Sequence, residues 1–329
     1  MTDFRMSRRQ FAALPAAAAC LMLPSVRAFA QNYPSRPIKI VVPSPPGGTT
    51  DLIGRLIANQ LQAAWTQPVL VENKPGAGLR LGADYVAKSA PDGYTLLMAA
   101  VHHSIAQAVY KKNSYDLQKD LTPISIIANV PNVLIVSASL PVKNVQEFIA
   151  LAKSQPGKIS YGSTGYGTAH HLIGEQFNDM AGTQLLHVPY KGSAPAITDL
   201  MGGQIHAMFD TASSCLPYIT SGKVRALAVT SGKRSIALPD VPTLSESGLV
   251  GFDIATWFGL MAPAQTPEAI IAQLQTEIAR ILAVPEIRQQ LSNAGAEPVG
   301  GTSEQMGRQI DAEIQRFSAL AKKINLELD

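Results

Sequence analysis

Cysteine is almost missing from this chain: 329 residues hold two, Cys20 and Cys215. Cleavage of a leader after Ala30 leaves Cys215 alone, which excludes an internal disulfide and a cysteine-rich metal site. Metal-binding patterns are missing too. No H-E-x-x-H and no carboxylate cluster at ligand spacing occurs, so no metal is expected. G-x-S-x-G and S-x-x-K are absent, and Ser163 in Y-G-S-T-G lies one residue off a nucleophile elbow. PGGTTD lacks the G-K-[ST] of a nucleotide P-loop, and no G-x-G-x-x-G stands where a dinucleotide fold needs it. These gaps disfavour an enzyme and leave no bound cofactor to expect.

Charge is also scarce, at 16% of residues against 46% hydrophobic, a globular composition. The net charge of +3 is carried by Arg5, Arg8, Arg9 and Arg27 against Asp3, so residues 31–329 hold 23 basic and 23 acidic side chains. No basic stripe for nucleic acid and no polybasic helix for lipid remains.

What is present begins with a leader. A basic start, an apolar stretch from Phe11 to Leu23 and Ala28-Phe29-Ala30 predict a signal peptide over 1–30, removed to give a periplasmic protein. The stretch is too short to span a membrane. Ser7-Arg8-Arg9-Gln10-Phe11 is similar to a twin-arginine signal, though Ala12 and Ala13 replace its usual Leu and Lys; the general secretory route stays open. Lipoprotein processing at Cys20 is a minor rival, since Ala17-Ala18-Ala19 lacks the usual leucine.

From residue 37, short apolar runs alternate with helical patterns. Strands are expected at 38–43, 68–73, 94–100, 130–139, 158–163, 184–190, 205–211, 224–231 and 252–263. Helices are expected at 51–65, 81–90, 145–154, 169–182, 194–203 and 214–222, then with breaks from 267 to 328. Such alternation builds a mostly parallel sheet with crossover helices. If the runs at 130–139 and 252–263 both cross between domains, residues 31–131 plus 250–329 form one lobe and 132–249 the other. The expected fold is two-lobed α/β with a hinged cleft, lined by the turns at the strands' carboxyl ends.

Four glycine-rich turns can line that cleft. In SPPGGTTD, Gly47 and Gly48 can take positive φ, and Thr49, Thr50 and Asp51 can cap a helix beginning at 51. Its free amides and dipole offer an anion site without a cationic side chain; a plain capped turn is the bland alternative. YGSTGYGTAHH repeats the plan with Ser163, Thr164, Gly165 and Thr168. ENKPGAGL places Gly76 and Gly78 before a helix, and YKGS places Lys191 either in the cleft or on the surface. Asp210 ends a strand and can accept from a ligand or cap the turn after it. His102 and His103 follow a strand at the sheet's carboxyl edge. His170 and His171 are adjacent on a helix, point to different faces and make no metal pair.

The segments YPSRPIKIVVPSPPGGTTD, PVLVENKPGAG, APDGYTLLM, VPYKG and PDVPTLSESG together resemble the Bug-type receptors of tripartite tricarboxylate transporters, over residues 33 to 320. The resemblance implies a type II periplasmic-binding-protein fold that binds a small organic acid and passes it to membrane permease subunits. It implies that Ser44 and Pro46 to Asp51, with Ser163 to Thr168, hold the carboxylate through amides, hydroxyls and water. Thr49-Thr50 replaces a usual third glycine or alanine. AAVHHSIAQAVY replaces a glycine-threonine turn ending in Asn-Pro, so His102 and His103 are expected to shape a distinctive pocket, with His171, Lys191 and Asp210 as further candidates. A monomer is the default. A sensor subunit for a membrane kinase would use the same residues; a secreted hydrolase with His102 or His171 as base is the remaining alternative.

Overall fold

The computed structural model describes residues 33–329. The leader, Cys20 and the proposed cleavage site lie outside the described residues. Among the described residues no helix is long and apolar enough to cross a membrane.

The chain opens with β1 (Ile38–Val42), α1 (Thr49–Trp65) and β2 (Val69–Asn73). Ile38, Ile40, Val41 and Val42 are all fully buried, as expected of a parallel strand covered on both faces. Each such isoleucine contributes about 2–3 kcal/mol relative to an exposed one. On α1 the buried face is Ile53, Ile57, Ala58 and Leu61, at helical spacing. A 3-10 turn at Ala77–Leu79 leads into α2 (Arg80–Ala87), then β3 (Thr95–Ala100) and α3 (Val101–Val109). The sequence reading left 101–109 without a helix, so His102 and His103 sit in a helical first turn rather than in a loop.

β4 (Leu121–Ser137) has 17 residues, about 56 Å of extended chain, where the sequence pattern gave only 130–139. Its proline at 123 and its bulges break the alternation that would have revealed the first half. After β4 come α4 (Val145–Ser154), β5 (Ser160–Ser163), α5 (Ala169–Ala181), β6 (Leu186–Pro189) and α6 (Ser193–Met201). β7 (Ala207–Thr211), α7 (Ala212–Thr220) and β8 (Val224–Val229) complete the middle of the chain. The return is β9 (Ala255–Pro263), α8 (Glu268–Ala283), α9 (Pro285–Asn293), a two-residue β10 (Glu297–Pro298) and α10 (Ser303–Lys323).

β4 belongs to two sheet halves. Residues 121–131 pair antiparallel with β9, which pairs with β3; β3, β1 and β2 run parallel. From Asn132 onward β4 pairs instead with β7 and β8, and β7, β5 and β6 run parallel. The changeover is clamped by buried polar groups. Asn132 and Thr256 are fully buried and exchange two hydrogen bonds of 3.0 and 3.2 Å. Thr230 N–H donates to Asn132 O, and Ile254 N–H donates to Thr230 O. Two lobes therefore face each other across the strands' carboxyl ends, the two-lobed α/β arrangement expected.

Candidate functional site

The turn after β1 is pinned from behind. Gly47, at φ +87, donates its N–H to Asp51 Oδ2 at 3.0 Å. Arg55 Nε and Asn73 Nδ2 also donate to Asp51, at 3.0 and 2.9 Å, and Asn73 Nδ2 reaches Ser44 O as well. Burial pushes the Asp51 carboxyl up, but the bonds from Arg55, Gly47 and Asn73 outweigh it and hold it below its ordinary value. Asp51 is thus committed to the loop. The helix begins at Thr49, two residues earlier than the sequence reading placed it. Its N-cap is Gly48, which brings no side-chain acceptor. Gly48 has φ −82, open to any residue, so positive φ is required only at Gly47. The first amides of α1 are left unpaired by the helix itself. The Thr49 hydroxyl is used elsewhere: it bonds Thr211 Oγ1 at 2.7 Å and Ser214 Oγ at 3.0 Å on the facing lobe.

The look-alike turn after β5 is built differently. Thr168 caps α5, its Oγ1 accepting from His171 N–H at 3.4 Å and donating to Gly165 O at 2.8 Å. The first amide, Ala169 N–H, donates 2.8 Å across the lobes to His102 Nδ1. Ser163 Oγ is held by His187 Nε2 at 2.6 Å and by Gly165 N–H at 3.1 Å. The amides at this helix start are largely occupied by the protein's own groups, while Thr164 and Gly165 of the same turn line the cavity described below. The open start on this lobe is α6. Its N-cap is Gly192, again without a side-chain cap, followed by Ser193, Ala194 and Pro195. A side chain on Gly192 would meet Pro45 Cγ at 3.4 Å, so the turn leading into α1 lies close to the start of α6.

Between them lies a cavity of about 520 Å³, within the usual range for a small-molecule site. Among the expected residues, Ser44, Pro46, Gly48, Thr49, Thr50, Gly78, His102, Thr164, Gly165 and Lys191 line it. The other expected residues do not. Gly47 and Asp51 brace the first turn, and Ser163 and Thr168 the second. His103 is folded back, its Nδ1 accepting from Ala100 N–H at 3.1 Å. His171 stacks on His187 at 4.0 Å, away from the cavity. Asp210 is fully buried behind the wall, its Oδ1 accepting from Ser193 Oγ at 2.9 Å and Thr211 N–H at 2.8 Å. Burial raises its carboxyl to about 7 against those bonds.

The lining also includes Pro45, His170, Tyr190, Ser193, Thr211 and Phe258, which were not singled out as site residues. Helix geometry says that only one of His170 and His171 can face the cleft, but not which. Phe258 lies mid-strand in an apolar run and carries no local signal. Lys191 is the sole lysine or arginine in the lining, and it is exposed. Burial lowers the pKa of His102 well below the ordinary histidine value, with His170 and His103 adding to the shift, and brings His170 to about 4. The cavity thus offers neutral imidazoles and helix-end amides, with Lys191 as the one formal cation in its lining.

Residues 53–326 match the tripartite tricarboxylate transporter family receptor, TctC, and the chain belongs to that family. It is 38% identical over 301 residues to Protein BugT of Bordetella pertussis, covering 91% of this chain and 92% of that one. The structure of R. palustris Rpa4515 with adipate is similar at 38% identity and a TM-score of 0.88, covering 90% of this chain and all of that one. Periplasmic binding protein BugD is similar at 36% identity and a TM-score of 0.86, with the same coverage. The chain is therefore a solute-binding protein of a periplasmic receptor family and not an enzyme, which sets aside the hydrolase alternative.

Proposed function

We propose that the chain, exported by its N-terminal leader, closes two lobes on a small organic acid and delivers it to the permease subunits of a tripartite tricarboxylate transporter. Lobe 1 is residues 31–131 with 250–329, lobe 2 is 132–249, and the hinge lies where Asn132, Thr230 and Thr256 bond across the changeover. The protein works as a monomer, free to open and close. One observation carries the reading: two helix starts without side-chain caps, α1 at Gly48 and α6 at Gly192, meet at one cavity that lacks arginine. Amides at a helix start, with the dipole behind them, stabilise a carboxylate in place of a cation. Adipate in the similar R. palustris protein supports an acid as the ligand class.

A thermal-shift screen of mono-, di- and tricarboxylates tests this. Ligand at 100 times Kd should stabilise the native state by about 2.7 kcal/mol. No rise in melting temperature with any acid at millimolar concentration would count against the proposal. Co-purification of the exported chain with the permease subunits from membranes tests the delivery step.

A further inference from the structure

One side chain of the cavity wall also reaches the facing lobe. His102 lies in the first turn of α3, is 4% exposed and lines the cavity. Its Nδ1 accepts from Ala169 N–H of the other lobe at 2.8 Å. A neutral imidazole carries one ring proton, so accepting at Nδ1 puts that proton on Nε2. Burial, with His170 and His103 nearby, lowers the ring's pKa well below the ordinary value and keeps it neutral. Nε2 bonds to no group among the described residues and, unlike Nε2 of His170, is not sealed from solvent. The neighbouring histidines are spent. His103 Nδ1 is folded onto Ala100 N–H at 3.1 Å. His170 has Nδ1 at 2.9 Å from Thr164 Oγ1, and its Nε2 is shut in at 3.7 Å from Asp210 Oδ1. Among the described histidines that line the cavity, His102 alone has an N–H left to give.

Resting on the carboxylate and closure reading above, we infer that His102 couples capture to closure: Nε2–H donates to an oxygen of the bound acid while Nδ1 holds the facing lobe through Ala169. With the cleft open, Nδ1 and the Ala169 amide separate, and either ring nitrogen can carry the proton. Closing fixes it on the nitrogen that meets the ligand. An oxygen accepting at Nε2 in turn makes Nδ1 the better acceptor, so each bond supports the other. Calorimetric titration of the exported chain with adipate, succinate, hexanoate and benzoate tests this, using the tightest acid of the four thereafter. His102→Asn keeps an acceptor near the Nδ1 position and removes the far donor; His102→Gln does the reverse. Each should weaken binding by roughly tenfold. His102→Phe lacks both groups and should lose less than the product of the two, because the bonds are coupled. Nitrogen-15 spectra of the bound protein should show the His102 ring protonated on Nε2 and bare on Nδ1. Wild-type affinity in the Asn variant would remove the ligand bond, and in the Gln variant the closure bond; either overturns the coupling and leaves the carboxylate site standing. Failure of all four acids to bind the unsubstituted protein would take down the carboxylate reading, and the coupling with it. Should the variants misfold, the spectra of the unsubstituted protein decide: a proton on Nδ1, or an Nε2 resonance unmoved by saturating acid, overturns the inference.

Discussion

Two turns that look alike in sequence, SPPGGTTD and GSTGYGT, take opposite parts in the structure. Both follow a strand and open a helix. The first keeps its helix start open because a glycine sits at the cap and Asp51 turns away to hold Gly47, Arg55 and Asn73. The second is closed by Thr168 over His171 N–H and by His102 over Ala169 N–H. A hydroxyl one position before the helix closes the start; glycine at that position leaves it open. The start of α6 resembles the first turn more closely, since Gly192 again supplies no side-chain cap.

The comparison breaks most sharply if the open start is closed by mutation. Gly48→Asp fits the observed backbone and places a carboxylate over the α1 amides. Acid binding should fall by roughly a hundredfold, while thermal stability holds or rises by a few tenths of a kcal/mol. Wild-type affinity in that variant would move the anion site elsewhere. Next in size is Gly192→Val, which combines φ +126 with contact against Pro45 across the cleft. Titration should show affinity weakened roughly thirtyfold through strain and incomplete closure.

The two turns should also separate by pH. Asp51 is held below its ordinary 3.8, so it stays charged in the native state while the unfolded chain takes up protons. Its contribution is complete above 3.8 and lost as pH falls through the folded value. In urea unfolding, Asp51→Asn should cost about 1.5 kcal/mol at pH 7, and the gap from wild type should close only below about pH 4. Burial lowers His170 and His171 to about 4, so near α5 the unfolded chain gains protons earlier. Their contribution, and that of His103, is present above 6.5 and lost between 6.5 and 4; burial also holds His102 well below 6.5 and brings His187 to about 3, so theirs is lost in the same direction. Wild-type stability should already decline across that window. The smallest effect is expected from Thr168→Ala. Loss of the α5 cap should cost about 1 kcal/mol, with acid affinity unchanged to within about twofold. A large loss of affinity there would return the second turn to the binding site.

Much of this molecule was legible beforehand. Strands such as 38–42 and 207–211 are short, largely apolar runs bounded by turn residues, and each lies within the span the pattern predicts. The first half of β4 was not, because Pro123 and the bulges interrupt its alternation. α3 was not, because AAVHHSIAQAVY holds no glycine or proline to mark a break between strand and helix. Within the site, the first turn was readable from its glycines and hydroxyls. His170, Ser193 and Phe258 join it only because β4 and β9 bring together parts of the chain up to about 200 residues apart.

Composition and local pattern alone pointed to the alternating α/β plan and marked the glycine-rich turns at the strand ends. Those properties depend on neighbours in the chain. Which helix start stays open, which histidine faces inward and whether Asp51 or Asp210 is spent internally depend on partners supplied from across the cleft or from adjacent elements. A hydrogen-bonding group becomes available to a ligand only when the fold leaves it unpaired, and that pairing is decided in three dimensions.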